Sequence, residues 1–193
     1  MSTINKMFAL TVVAAFGLGG AVGTFTLLAG NPGDGVSALS PPHPVWSEVQ
    51  WPFPMDQWGR GRAFQCKPAD CGTEVNIYLR AKLGSCNCTT GVADDEELDR
   101  MSDLDLAGGE VSPLGAGRPI TIAWMKGRSR AYTLTARNPP GKTAISVAFN
   151  DRCDMIVATA VLPHDRPATI EPGVIAFLNS RTVLRWAEVT LGI

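Results

Sequence analysis

The sequence predicts an α+β domain of about six mainly antiparallel strands with two helices, stapled by disulfides and carried on a single N-terminal transmembrane helix. Three observations predict it. An uncharged apolar run fills 7–30, several later segments alternate apolar and polar residues with a period of two, and four of the five cysteines crowd into the stretch from Cys66 to Cys88. The chain has 193 residues, 45% hydrophobic and 18% charged, enough for one domain with a proper core plus extras. Its formal net charge of −1 argues against a nucleic-acid partner, which would need a clustered basic face, and equally against a strongly acidic solvating chain. No internal period of repeat length appears.

Residues 1–6 form a short tail with positive charge from Lys6 and the amino terminus. The run 7–30 is long enough to cross a bilayer as a helix and longer than the apolar core, roughly 7–15 residues, of an ordinary signal peptide. Val36-x-Ala38 offers a small-residue cleavage site, but the length favours an uncleaved anchor. No cysteine lies near the end of the run, which excludes a lipoprotein. The first charge after the span is Asp34, so the tail stays in the cytoplasm and the rest is exported. The expected location is a bacterial inner membrane, single-pass, with the C-terminal domain in the periplasm. Within the span Gly19, Gly20 and Gly23 would let a second helix approach closely, although glycine is also simply common in membrane helices.

Residues 31–62 read as a linker or strap. Pro32, Pro41, Pro42, Pro44, Pro52 and Pro54 keep it extended, without a sustained apolar period. Its second half carries Trp46, Trp51, Phe53 and Trp58, then Arg60 and Arg62. Trp and Arg dominate binding hot spots, so these six residues are the candidate partner-binding set; the alternatives are packing on the protein's own domain or membrane contact.

The exported domain, 63–193, opens on the cysteine-rich stretch. From Thr73 to Leu83 the residues Val75, Ile77, Leu79, Ala81 and Leu83 alternate with Glu74, Asn76, Tyr78, Arg80 and Lys82, which predicts a strand with one buried face. At about 3.3 Å per residue that strand holds Cys71 and Cys86 up to roughly 45 Å apart, so they cannot pair. The loop Lys67 to Asp70 makes Cys66 to Cys71 the natural bridge. A Cys86 to Cys88 bridge would close too tight a ring, so one of them should reach Cys153 and leave a thiol over.

Residues 93–107 predict a helix, with Asp94 to Glu97 in its first turn, Leu98, Met101 and Leu104 as an apolar stripe, and Gly108-Gly109 as its stop. The acidic cluster lacks the spacing of a calcium loop, and the glycosylation match at Asn87-Cys88-Thr89 is incidental beside a bridged cysteine. Ile120, Ile122 and Trp124, then Tyr132, Leu134 and Ala136, predict a hairpin turning on the basic residues 126–130. After the break at 138–141, Ile145, Val147 and Phe149 mark another strand, and Cys153 to Leu162, apolar on both faces, suits a central one. A loop with Pro163, His164 and Pro167 precedes a short helix from Pro172 to Asn179, and Thr182 to Leu191 closes as a strand.

Catalytic signatures are missing from this pattern. His43 lies in the proline-rich strap and His164 beside Asp165 in a loop, and neither accompanies a nucleophile motif. Dinucleotide, P-loop, zinc-protease and haem-attachment motifs are absent. The cysteines offer one chemical alternative, in which Cys86 and Cys88 chelate Zn or Cu, but structural zinc sites usually use more widely spaced knuckles, and the exported location favours bridges. No C-x-x-C exists to supply an activated thiol. The architecture therefore predicts a non-enzymatic accessory or assembly subunit of an integral membrane protein complex, needing no cofactor. The alternative is a periplasmic metal-handling or thiol-redox protein.

Overall fold

The structure, a computed structural model, describes residues 44–135, 141–163 and 167–193. The tail, the predicted span 7–30, the first part of the strap, Ala136 of the expected hairpin and both histidines lie outside the described residues. None of the described helices is long and apolar enough to cross a membrane.

One antiparallel sheet organises the described residues. Its strands are β1 (Trp46–Val49), β2 (Arg62–Cys66), β3 (Val75–Lys82), β4 (Glu110–Pro113), β5 (Arg118–Ile122), β6 (Met125–Thr135), β7 (Lys142–Asp151) and β8 (Asp154–Leu162). They run in the order β1-β2-β3-β8-β7-β6-β4, with β5 also on β6. The helices are α1 (Pro68–Cys71), α2 (Asp95–Met101), α3 (Pro167–Leu178) and α4 (Arg181–Leu191), with a 3-10 turn at Leu104–Ala107. The α+β class and antiparallel pairing agree with expectation, but the described residues form eight strands rather than six and four helices rather than two.

Three strands, β1, β2 and β4, come from segments where the sequence showed no alternation, while the expected final strand is a helix. β1 is drawn from the strap, where Trp46 pairs with Cys66 and Val49 with Ala63. β4 and β5 together form one interrupted edge strand. Between Pro113, opposite Tyr132, and Arg118, opposite Ser129, residues 114–117 face only 130 and 131, so the strand bulges. β8 lies between β3 and β7, and its residues from Met155 onward are buried on both faces, as its continuous apolar character predicts.

The hairpin turns earlier than expected. Residues 126–130 lie inside β6; the reversal is Ala123-Trp124, closed by the Ile122 and Met125 pair. Ala123 has φ 51, a conformation usually taken by glycine or asparagine, so no turn signal stood in the sequence. Its N–H is held by Asn179 Oδ1 at 2.7 Å. The basic residues of β6 belong in a strand because α2 carries their counter-ions. Asp95 and Asp99, four apart on one helix face, meet Arg128, Arg130 and Tyr132, two apart on one strand face.

The segment from Thr182 to Leu191 is helix α4, not a strand. Ser180 caps it, its Oγ accepting from Val183 N at 3.4 Å, and Gly192 ends it at φ 71. A strand would put Val183, Arg185, Ala187, Val189 and Leu191 on one face, arginine included. The helix instead buries Val183, Ala187 and Leu191, four apart, and leaves Val189 74% exposed. α3 starts at Pro167 rather than Pro172, which sits inside it without breaking it. The single helix expected over 93–107 is split in two by Asp103, for a reason that lies in the groove described below.

α3 and α4 cover one sheet face, and the main core lies between: Phe64, Ile77, Leu79, Val147, Phe149, Ile156 and Ala158 against Val174, Phe177, Leu178, Val183 and Ala187. The other face has a thinner cover. Leu98 and Met101 of α2 pack on Ala148, Met155 and Val157, while Leu104 packs on Tyr132, Leu134, Ala144 and Val161. Two disulfides staple the ends of β3 to their surroundings, Cys66 to Cys71 and Cys88 to Cys153, leaving Cys86 as a buried free thiol.

Candidate functional site

The thinly covered face holds the densest chemistry among the described residues. β3 sends Tyr78, Arg80 and Lys82 toward it, the alternate positions that the sequence assigns to a polar face. Yet Arg80 is 3% exposed and Lys82 5%. Both are buried because Asp103 comes down between them. Arg80 Nε and Nη2 donate to the two carboxylate oxygens of Asp103 at 2.9 and 2.5 Å, and Nη1 donates to Asp56 of the strap. Lys82 Nζ stands 2.8 Å from Asp103 Oδ1, donates to the Met101 carbonyl at 2.8 Å, and lies 5.4 Å from the centre of the Trp58 ring.

Two cations and two carboxylates therefore neutralise one another. Burial alone would lower the Arg80 pKa, but the hydrogen bonds it donates to Asp103 and Asp56, with the charges of those carboxylates, reverse this and raise it. Asp56 is held below the ordinary aspartate range, first by the Trp58 N–H, which donates to it at 2.8 Å, and then by Arg80. This is also why helix 93–107 breaks: Asp103 at the joint must face inward, and a continuous helix would not place it there while Leu98, Met101 and Leu104 all reach the sheet.

Above this cluster lies a groove of about 740 Å³, walled by Trp58, Asp105, Val111 and Tyr132 and floored by Arg80, Lys82 and Asp103. Tyr132 donates to Asp99 Oδ1 at 2.5 Å, and its pKa is driven well up, chiefly by burial and then by Asp99. The groove is polar, but its buried cations are spent on internal partners. A ligand there would meet the outer carboxylates, the exposed Arg100 and the ring of Trp58.

The strap residues singled out from the sequence divide into two groups. Trp46 stacks on Phe177 of α3 with ring centres 4.5 Å apart, while Arg62 pairs with Glu48 and lies over Phe64. Trp51 and Phe53 pack edge-on against Tyr78 at 6.1 and 4.7 Å, and Trp58 covers Lys82. All four rings are half-buried, so each has one side on the domain, and Arg60 is exposed. Gly61 is required where the strap meets β3, since a Cβ there would stand 2.1 Å from the Leu79 carbonyl oxygen and 2.6 Å from the Trp51 ring.

The cysteines are arranged at both ends of β3. With Cys88 bridged to Cys153, thiolate ligation of Zn or Cu by Cys86 and Cys88 would first require that bridge to open. Among the described residues no group of three or more His, Cys, Asp or Glu side chains is placed to hold a metal ion. Ser129 donates to Glu171 Oε1 at 2.5 Å, but both are tied into the sheet and α3, with Arg118 on the same carboxylate.

Sequence reasoning missed Asp56, Arg80, Lys82 and Asp103. The available signal was weak: two cations two apart on a strand, and an aspartate inside the predicted helix, between Met101 and Leu104 of its apolar stripe. Compared with known proteins, the chain matches no family model and no curated sequence.

Proposed function

We propose that this protein is a non-enzymatic accessory or assembly subunit of a membrane protein complex, anchored in a bacterial inner membrane through residues 7–30 with its α+β domain in the periplasm. It docks on its partner through the strap, by Trp46, Trp51, Phe53, Trp58, Arg60 and Arg62. One observation carries the reading: the strap's rings are fixed on one side by the domain and remain partly open on the other. Docking therefore costs little side-chain entropy, since the anchors are already ordered. The strap also brings Met55, 66% exposed, and ends the sheet with β1, whose outer edge has no strand beside it among the described residues. Such an edge accepts a partner strand.

The test separates docking from self-packing. Tagged full-length protein is purified in mild detergent from its native host, alongside the double variant Met55→Lys, Arg60→Glu, which changes exposed strap residues and leaves every ring in place. The expected result is that a defined membrane complex accompanies the wild type and is lost from the variant, with an unchanged melting temperature. Retention of the same complex by the variant, or a wild type that purifies alone, overturns the proposal.

A further inference from the structure

Three cysteines meet where β3 runs out beside the start of β8, and only two of them are bridged. The bridged pair is the outer one: Cys88 is exposed and Cys153 half-buried, with Cα atoms 4.1 Å apart. Behind it sits Cys86, 6% exposed. Its backbone N–H donates to the Cys153 carbonyl at 3.2 Å, and its Sγ lies 3.3 Å from the Arg152 carbonyl oxygen. Both contacts fall on the two peptide units that flank Cys153.

This bracketing sets distances. A single N–H···O=C bond brings the two Cα atoms to within about 7 Å of each other, the neighbourhood of the range of about 4.4–6.8 Å that a disulfide spans. The carbonyl oxygen of one residue is about 2.8 Å from the next Cα by peptide geometry, so the Cys86 sulfur is no more than about 6 Å from Cys153 Cα. Cys86 is thus a second cysteine beside Cys153, with its thiol held against the peptide unit that precedes that residue.

We infer that Cys86, Cys88 and Cys153 form a thiol–disulfide relay, in which Cys86 displaces Cys88 from Cys153 and so delivers a free thiol to the surface. The Cys86 thiol loses its proton and the thiolate attacks Cys153 Sγ. The Cys86–Cys153 bond forms as the Cys88–Cys153 bond breaks, and Cys88 leaves as a thiolate that takes up a proton from solvent. One disulfide and one thiol enter and leave, so no oxidant or reductant is consumed. The relay does not depend on the accessory-subunit proposal.

The surroundings set its pace. Burial, the Glu97 carboxylate of α2 and the Asp154 carboxylate at the start of β8 all hold the Cys86 thiol protonated. The neighbouring cations are engaged elsewhere, Arg100 with Glu97 and the exposed Arg152 with Asp151. At neutral pH the thiolate is scarce and exchange is slow. It gains about tenfold per pH unit while the thiol remains mostly protonated.

The test uses full-length protein in detergent without reductant, incubated with a maleimide under native conditions from pH 6.5 to 8.5 and mapped by peptide mass spectrometry. The expected label is on Cys88, with Cys86 joined to Cys153, and its rate climbs about tenfold per pH unit. Cys86→Ser should abolish labelling, and Cys88→Ser should be isolated with a Cys86–Cys153 bridge. Label on Cys86 or Cys153, no label at all, or a Cys88→Ser protein with two free thiols overturns the relay. Should Cys88→Ser fail to fold, the wild-type map alone decides, because Cys88 labelling requires the exchange.

Discussion

Asp103 illustrates how much one side chain can hold. It accepts from Arg80 twice and is ion-paired with Lys82, all three groups being buried, and Asp56 is the further carboxylate of the cluster among the described residues. A buried ion cluster adds little stability compared with an apolar packing of equal volume, yet removing one member leaves uncompensated charge. Asp103→Ala strands two cations and is expected to cost about 3–5 kcal/mol in urea unfolding. Asp56→Ala opens a partner that solvent already screens, and should cost clearly less. Equal losses would show that Asp103 is not the centre of the cluster. None of this was legible in the sequence. Alternation correctly placed Arg80 and Lys82 opposite Ile77 and Leu79, but period two distinguishes faces and not what covers them. The covering residue arrives from a segment whose own pattern read as one helix.

Among the elements, α4 shows where pattern reading competes with itself. Its β-branched residues and tryptophan favour a strand, while Ser180, Gly192 and the four-residue spacing of Val183, Ala187 and Leu191 favour a helix. The helix prevails because it buries three apolar residues on the sheet without burying Arg185. The two conformations make opposite claims about Val189, which a strand puts beside Ala187 and the helix turns to solvent. Val189→Lys should change stability by no more than about 0.5 kcal/mol. Ala187→Lys forces a charge into the main core and should cost several times as much, about 3 kcal/mol or more, read from denaturant midpoints. Similar effects at both positions would contradict the helix. By contrast β3, β7 and β8 were readable, because each carries a long apolar face that only a sheet core can absorb. The Ala123-Trp124 turn was not, because its positive φ rests on an alanine held by Asn179 from a distant element.

For the molecule as a whole, the strap is the boundary case between linker and fold. Its proline content and lack of period read as an extended connector, and proline does keep 50–61 out of regular structure. Four residues before that stretch nevertheless form β1, and the connector crosses the thin face of the sheet, where Trp51 and Phe53 cover Tyr78, Asp56 completes the Arg80 cluster and Trp58 lies over Lys82. Sequence could show that aromatic residues concentrate here but not which surface they meet, since the receiving groups are scattered over β2, β3 and α3. A fragment starting at Ala63 keeps the main core between the sheet and α3 and α4. It loses the neighbour of β2, the stacked ring on Phe177 and one carboxylate of the buried cluster, while exposing Tyr78 and the stem of Lys82. It should therefore melt well below a fragment starting at Pro44, and its bare β2 edge should promote association. Circular dichroism melts and size-exclusion profiles of the two fragments check this. Equal melting temperatures with both fragments monomeric would mean that the strap rests on the domain without supporting it, and its half-open rings would then be free to leave the sheet altogether when a partner binds.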